Sequence, residues 1–436
     1  MMITRACNVL FDSIPVGYLA YLDDSGFATF EYTEEWQSEG FSLSPIHLPL
    51  SNQTFTFSAL AFETYKGLPA VFADSLPDDF GNSLINAWLA RSGQDKSQFL
   101  ALDRLLYTGS RGMGALEYQP TNNNQEVDSQ PILIGELVTM AQKVLDSRDK
   151  LQLNDYEESS MAKLLQIGTS AGGARAKAVV AVNADRSEIC SGQVDAPDGF
   201  EHYLLKFDGV QEHKSDKETF GDPKGYGVME YVYYLMARDA GIVMSECELL
   251  RERNSDRAHF MTRRFDRVNN QKYHVLSLCG IAHADFRKPG AFSYEELLAV
   301  CRQLGLSNKE QEQIYRRMVF NVVARNHDDH TKNWSFMVND EYKWTLAPAF
   351  DVAWSYKADS PWVNAHQLTL AGKRDNFQIN DLLSVATQIT SLRPSKAKNI
   401  INETIKIVSG WREYAEDEGV PKTLIDSVWE SLRINW

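Results

Sequence analysis

Arg325-Asn326-His327-Asp328-Asp329-His330-Thr331-Lys332-Asn333 follows the amphipathic run Ile314–Val323 and gathers carboxylates, imidazoles, amides and basic side chains into nine residues. A carboxylate followed five positions later by an asparagine suits phosphoryl transfer. Asp328 would accept the proton of an acceptor hydroxyl, and the amide oxygen of Asn333 would hold Mg²⁺. Two other readings fit the same residues. His327, Asp328 and His330 could bind a transition metal, as in a metal-dependent phosphohydrolase, although the remaining histidines (His47, His202, His213, His259, His274, His283, His366) show no partner motif. The stretch could also be a polar turn between helices, because acids and asparagine are common in turns.

Working outward, Ala347-Pro348-Ala349-Phe350-Asp351-Val352 ends an apolar run on a second carboxylate, placed where the DFG aspartate of a protein kinase holds Mg²⁺. The kinase catalytic loop, H-R-D-x-x-x-x-N, has the same aspartate-to-asparagine interval. Upstream, Gly168-Thr169-Ser170-Ala171-Gly172-Gly173-Ala174-Arg175-Ala176-Lys177 is rich in small residues. These let backbone N–H groups approach phosphate oxygens, with Arg175 or Lys177 adding charge. The segment matches neither the Walker A motif nor G-x-G-x-x-G, and a flexible surface loop is the alternative. Lys206 sits among apolar residues in a strand-like run, either as an edge-strand solubiliser or as a phosphate ligand. Glu230, on an amphipathic helix, is a candidate to orient it. Phe260–Arg267 reads as a strand and hinge, with backbone near Arg263 and Phe265 at adenine and Asp266 near a ribose, or as a strand ending in an exposed charged turn.

The chain of 436 residues has 44 Lys and Arg against 59 Asp and Glu, a net charge of −15. Such a field repels nucleic-acid phosphates and anionic lipid headgroups, so direct DNA or membrane binding is not expected. Five scattered cysteines (Cys7, Cys190, Cys247, Cys279, Cys301) without a C-x-x-C pair read as reduced thiols. No signal-peptide or membrane-spanning run of apolar residues is visible, which makes a cytoplasmic protein the expectation. Strand-like alternation dominates the first 120 residues or so, a polar stretch at Thr121–Ser129 suggests a boundary, Ile134–Gln152 has helical spacing, and from Tyr294 the pattern is mainly helical. The expected architecture is α+β: residues 1–125 as an N-terminal α/β region, 126–270 as a nucleotide-binding part, and 271–436 as a helical C-terminal lobe.

The order of glycine-rich loop, strand lysine, R-F-D-R hinge, N-x-D-D-H-x-K-N loop and F-D-V resembles the HipA family of bacterial serine/threonine kinases, toxins of type II toxin–antitoxin modules. Gly67–Gly81 and Leu102–Ala115 look like that family's N-terminal coupling region. The resemblance implies a two-lobed protein-kinase-like fold using ATP and Mg²⁺, the nucleotide lying in the cleft between lobes. Asp328 would be the catalytic base, and Asn333 and Asp351 would ligate Mg²⁺. ATP would be bound by Ser170, Ala171, Gly172, Gly173, Ala174, Arg175, Lys177, Lys206, Arg263, Phe265, Asp266, His330, Asn333 and Asp351. It further implies silencing by autophosphorylation at Ser170, a HipB-like helix-turn-helix antitoxin through which DNA is met indirectly, a role in persistence, and a protein substrate such as an aminoacyl-tRNA synthetase. The alternatives are a catalytically inactive kinase-like protein that binds nucleotide or antitoxin, and the metal phosphohydrolase above.

Overall fold

The computed structural model describes residues 6–22, 25–121, 132–147, 155–168, 175–210, 223–252 and 255–436. They divide into two compact units, Met1–Lys224 with Leu250–Val275, and Gly225–Leu249 with Leu276–Trp436. Among the described residues no helix is long and apolar enough to cross a membrane, and all five cysteines are free and buried.

In the first unit, β1 (Ala6–Phe11), β2 (Ile14–Tyr21), β3 (Ala28–Tyr32), β4 (Phe55–Thr56) and β5 (Leu116–Gln119) form an antiparallel sheet in the order β4-β3-β2-β1-β5. The alternation of β2 places Leu19 inside and Tyr18 in solvent, the pattern of a sheet covered on one face. A second sheet contains β6 (Lys177–Asn183), β7 (Ile189–Ser191), β8 (Phe200–Lys206), β9 (Cys247–Arg251) and β10 (Ala258–Arg263), in the order β7-β6-β8-β10-β9. One face is covered by the helices Asp79–Arg91, Ile134–Ser147 and Asp155–Gly168. Leu84, Leu89, Leu137, Val144 and Leu164 pack there in one core with Val180, Leu205 and Met261. Asp78 caps the first of these helices, accepting from the Gly81 N–H at 2.6 Å, a contact worth about 1 kcal/mol.

Beyond β10 the chain makes a two-stranded ribbon of β11 (Arg267–Val268) and β12 (Gln271–Lys272). Asp266, entering it, is enclosed by charge: it accepts from Arg264 Nε at 2.9 Å and Nη2 at 2.6 Å, from Arg267 Nη1 at 3.1 Å, and from the Gly114 N–H at 2.7 Å. Gly114 stands at φ +75°, where a Cβ would press on the Val275 backbone at 3.3 Å, so the approach requires glycine. Close by, buried His274 donates from Nε2 to the Leu43 carbonyl at 3.1 Å. Burial pushes its pKa down to about 4. The folded ring therefore stays neutral between pH 6.5 and 4 while the unfolded one takes a proton, so stability is complete above pH 6.5 and falls by about 3 kcal/mol as pH approaches 4. His274→Gln, which keeps a donor but cannot be protonated there, is expected to flatten that part of the Tm-against-pH curve; an unchanged slope would contradict the assignment.

The second unit is mainly helical, with helices Tyr226–Asp239, Tyr294–Gln303, Asn308–Val323, Ile379–Ala386, Pro394–Val408, Trp411–Glu418 and Lys422–Ser431. Ser293 with Glu296 and Ser307 with Glu310 form reciprocal capping boxes that fix where two of them begin. Tyr233 packs edge-on to Phe320 and Trp411 and donates to the Ala324 carbonyl at 2.7 Å. That contact anchors the end of Asn308–Val323, from which the acidic segment departs. The helical reading of this region omits one element: β13 (Val275–Ser277), β14 (Ser335–Val338) and β15 (Trp344–Leu346) form a small sheet, made of runs too short to show a period.

Candidate active site

The segment Arg325–Asn333 is tied by hydrogen bonds and ion pairs to several other stretches of the second unit. Arg325 opens it at φ 57°, a conformation uncommon outside glycine. Its Nε donates to the Ser431 carbonyl at 2.8 Å, its Nη1 meets Asp375 at 3.2 Å, and its guanidinium lies 4.6 Å over the Tyr356 ring. Buried His327 donates from Nδ1 to the Val363 carbonyl at 3.0 Å, and its Nε2 then accepts from Arg325 Nη1 at 3.2 Å. Burial first, then the neighbouring His366 and Arg325, push its pKa down to about 3. The ring is neutral, and both nitrogens are engaged. A metal held by His327, Asp328 and His330 would need one of them, and among the described residues no group of three or more His, Cys, Asp or Glu is placed to hold a metal ion.

The two adjacent aspartates have opposite environments. The Asp328 side chain is 33% exposed and that of Asp329 is 0% exposed, so only the first can meet a substrate. Asp328 Oδ1 accepts from the indole N–H of Trp362 at 2.9 Å, with His330 Nε2 at 3.7 Å. Asp329 accepts from Tyr294 Oη at 2.6 Å, from the Gln367 N–H at 2.7 Å and from His366 Nδ1 at 2.9 Å. Burial works to raise its pKa, but His366, Tyr294 and the Gln367 N–H outweigh it, and the carboxyl is held below the usual range. Tyr294 in turn accepts from Asn321, which accepts from Asn326.

Asn333 closes the segment. Its Nδ2 donates to the Asp328 carbonyl at 2.7 Å, which leaves its Oδ1 as an acceptor. From there β14 and β15 run as an antiparallel hairpin, Phe336 opposite Leu346 and Val338 opposite Trp344, continued by Ala347 N–H to the Ser335 carbonyl at 3.0 Å. The hairpin thus returns the chain at Ala347 to Ser335, two residues beyond Asn333, with Asp351 four residues further on. Beyond Asp351, Ser355 pairs back to Asn326, with the His327 N–H donating to its carbonyl at 3.1 Å. Asp351 lies between these two ties at φ 54°, a strained state that persists at functional sites when the surroundings enforce it. A carboxylate and a free amide oxygen are hard donors of the kind Mg²⁺ takes beside phosphate oxygens, so these residues fit the ion.

In the first unit, Lys177 and Lys206 are direct partners across β6 and β8, and Phe260 of β10 is opposite Lys206. All three therefore share one face of the sheet. Lys206 Nζ lies 5.6 Å over the Phe260 ring, whereas Lys177 forms a buried ion pair with Asp78 at 3.1 Å. Burial raises the Asp78 pKa to about 6 against the pull of Lys177 and the Gly81 N–H. Arg263 pairs with Glu201 at 2.7 Å on the surface, and Arg175 and Phe265 are partly buried. Asp266 is enclosed as described, its oxygens occupied by arginines and the Gly114 N–H. Glu230 is buried on the helix Tyr226–Asp239 of the second unit. Thr169, Ser170, Ala171, Gly172, Gly173 and Ala174 lie outside the described residues. Trp362, Tyr294 and His366 come from stretches with no motif of their own and give no signal in the sequence, whereas Asp329 stands in the D-D pair but is assigned no role there.

With this geometry in view, the fold is similar to that of HipA from Shewanella oneidensis MR-1, solved in a complex with HipB and its operator DNA: TM-score 0.66, 14% sequence identity, covering 97% of this chain and 94% of that one. A slighter likeness, TM-score 0.33 at 15% identity over 60% of this chain and 90% of that one, is to the proinflammatory kinase CtkA of Helicobacter pylori. Among curated proteins no match is found. The HipA N-terminal domain matches residues 7–119 and the HipA-like C-terminal domain matches residues 169–411. The chain belongs to the HipA family.

Proposed function

We propose that this protein is a serine/threonine protein kinase that transfers the γ-phosphoryl group of ATP, with Mg²⁺, to a protein hydroxyl. The observation that carries the reading is the contrast at Asp328 and Asp329 within a family-matched segment: one carboxylate open and aimed by a donor, its neighbour buried as an anchor. Asp328 accepts the proton of the acceptor hydroxyl as the hydroxyl oxygen bonds to the γ-phosphorus and the bond from that phosphorus to the β,γ-bridging oxygen breaks, releasing ADP. Asn333 Oδ1 and Asp351 hold the ion, and Lys206, with Arg175, supplies positive charge to the phosphates. Bound Mg²⁺ neutralises charge that builds on the transferring group. Asp266 serves the architecture of the first unit, and Lys177 balances Asp78.

Family membership also supports a toxin held by a HipB-like antitoxin, through which DNA is met, as HipB and operator DNA are found with the Shewanella protein. The acceptor we infer is a translation protein such as an aminoacyl-tRNA synthetase, and Ser170 is the self-modified residue. A phosphate there adds about two negative charges beside those of ATP and opposes its binding.

Intact-mass measurement of the protein incubated with Mg-ATP tests this. A gain of about 80 Da per phosphoryl group, placed on serine or threonine by fragmentation and lost in Asp328→Asn and in Ser170→Ala, is the expected result. No gain from protein free of phosphate at the start would favour the inactive, binding-only reading. Tightly bound Zn²⁺, Mn²⁺ or Fe with ATP-independent phosphate release would favour a hydrolase.

A further inference from the structure

Residues 360–367 belong to no helix or strand, yet three consecutive residues of the acidic segment each grip them. His327 donates to the Val363 carbonyl at 3.0 Å. Asp328 accepts from Trp362 Nε1 at 2.9 Å. Asp329 accepts from His366 Nδ1 at 2.9 Å and from the Gln367 N–H at 2.7 Å. The stretch is also braced from within: buried Ser360 Oγ accepts from the Trp362 and Val363 N–H groups at 3.1 and 3.2 Å, and the Gln367 side chain donates to the Trp362 carbonyl. Apart from the Asp328 bond, which the indole itself makes, these contacts brace the chain on either side of one indole, and that indole reaches the partly exposed carboxylate of the segment.

We propose that Trp362 is a positioning residue for phosphoryl transfer: its N–H holds Oδ1 of Asp328, so that Oδ2 is the oxygen presented to the acceptor hydroxyl. The proposal rests on the reading of Asp328 as base. A carboxylate on a surface turn rotates about its terminal bond through a broad range, and a single directed donor removes that freedom. The indole N–H is suited to this because it donates and cannot accept, so it can only bind a carboxylate oxygen and cannot compete for the acceptor's proton. Asp329 and His327 act one step further out, holding the strip of chain that carries Trp362.

The test uses the full chain and four proteins: wild type, Trp362→Phe, Trp362→His and Asp328→Asn. Phenylalanine keeps an aromatic ring without the donor. Histidine restores it, because its imidazole overlays the five-membered ring of indole and puts Nε2 where Nε1 was. The transfer rate at saturating Mg-ATP is read by mass, the affinity for Mg-ATP by calorimetry, and the Tm by scanning. Trp362→Phe is expected to transfer roughly tenfold to a hundredfold more slowly, with Mg-ATP affinity within about twofold and Tm within a few degrees. Trp362→His is expected to recover most of the rate. A structural role alone would lower Tm and leave histidine no better than phenylalanine, which overturns the proposal. So does a Trp362→Phe rate equal to or above that of wild type while Asp328→Asn is inactive. Wild-type transfer by Asp328→Asn, or none by the wild type, would instead overturn the reading of the base beneath it.

Discussion

Asp328→Asn is expected to slow phosphoryl transfer by about 10²–10⁴-fold, the usual contribution of a positioned general base. The replacement is nearly isosteric, and its amide oxygen still accepts from Trp362 Nε1, which lies 2.9 Å from Oδ1 in the wild type. What it loses is the capacity to take a proton. The side chain is 33% exposed, so neither an unpaired buried charge nor a cavity is created, and the Tm should stay within a few degrees of wild type. The backbone bond from Asn333 to the residue 328 carbonyl is untouched, and Mg-ATP affinity should be largely retained. Phosphate incorporation at saturating Mg-ATP, read beside calorimetric binding, separates these effects. Retention of the wild-type rate would remove Asp328 from the chemistry.

Asp266→Ala should have the largest effect on stability. It leaves the guanidinium groups of Arg264 and Arg267 buried without their shared carboxylate, and removing one partner of a buried pair costs about 3–5 kcal/mol. Burial works to raise the Asp266 pKa, but the two arginines and the Gly114 N–H overcome it and hold the carboxyl far below its usual range. Its stabilisation is therefore complete above the unfolded-state pKa of about 3.9 and is lost only as pH falls toward the lower folded value. The penalty in Asp266→Ala should accordingly be constant from pH 5 to 8, unlike the loss tied to His274, which begins at pH 6.5. Chemical denaturation at pH 5 and pH 8 checks both the size and the flatness. A wild-type midpoint would mean that carbonyls and water satisfy the arginines unaided.

What could be read from the sequence divides by range. The interval from Asp328 to Asn333 is closed by one local hydrogen bond, so its chemistry is written in contiguous residues. Lys206 announced its strand through its apolar neighbours, and the helices after Tyr294 through their period. The supports of the site have no such signature. Tyr294, Asp329 and His366 meet across separations of 35 and 37 residues, and Trp362 reaches Asp328 across 34. A tryptophan in an irregular stretch has no periodic neighbours to betray its direction. Asp266 illustrates the opposite difficulty. An aspartate between arginines in R-F-D-R resembles a ligand-binding turn, and only the Gly114 N–H, 152 residues earlier, reveals it as a clasp. The return of residues 250–275 to the first unit likewise follows from strand pairing at a distance and leaves no trace in composition.

The ion pair between Asp78 and Lys177 bears on how this chain could be cut and recombined. Asp78 lies in the stretch matched by the N-terminal family domain and Lys177 in the stretch matched by the C-terminal one, and the helix that Asp78 caps shares a core with the second sheet. The seam between two separately recognised modules is thus a buried electrostatic bond and a common apolar interior. Either module expressed alone would expose that interior and strand a charge. In a chimera of two relatives, the partner of each half would have to supply the opposite charge at the same place. Natural exchange of the first module among relatives should therefore be coupled to residue 177, and the two stretches should be inherited as one piece.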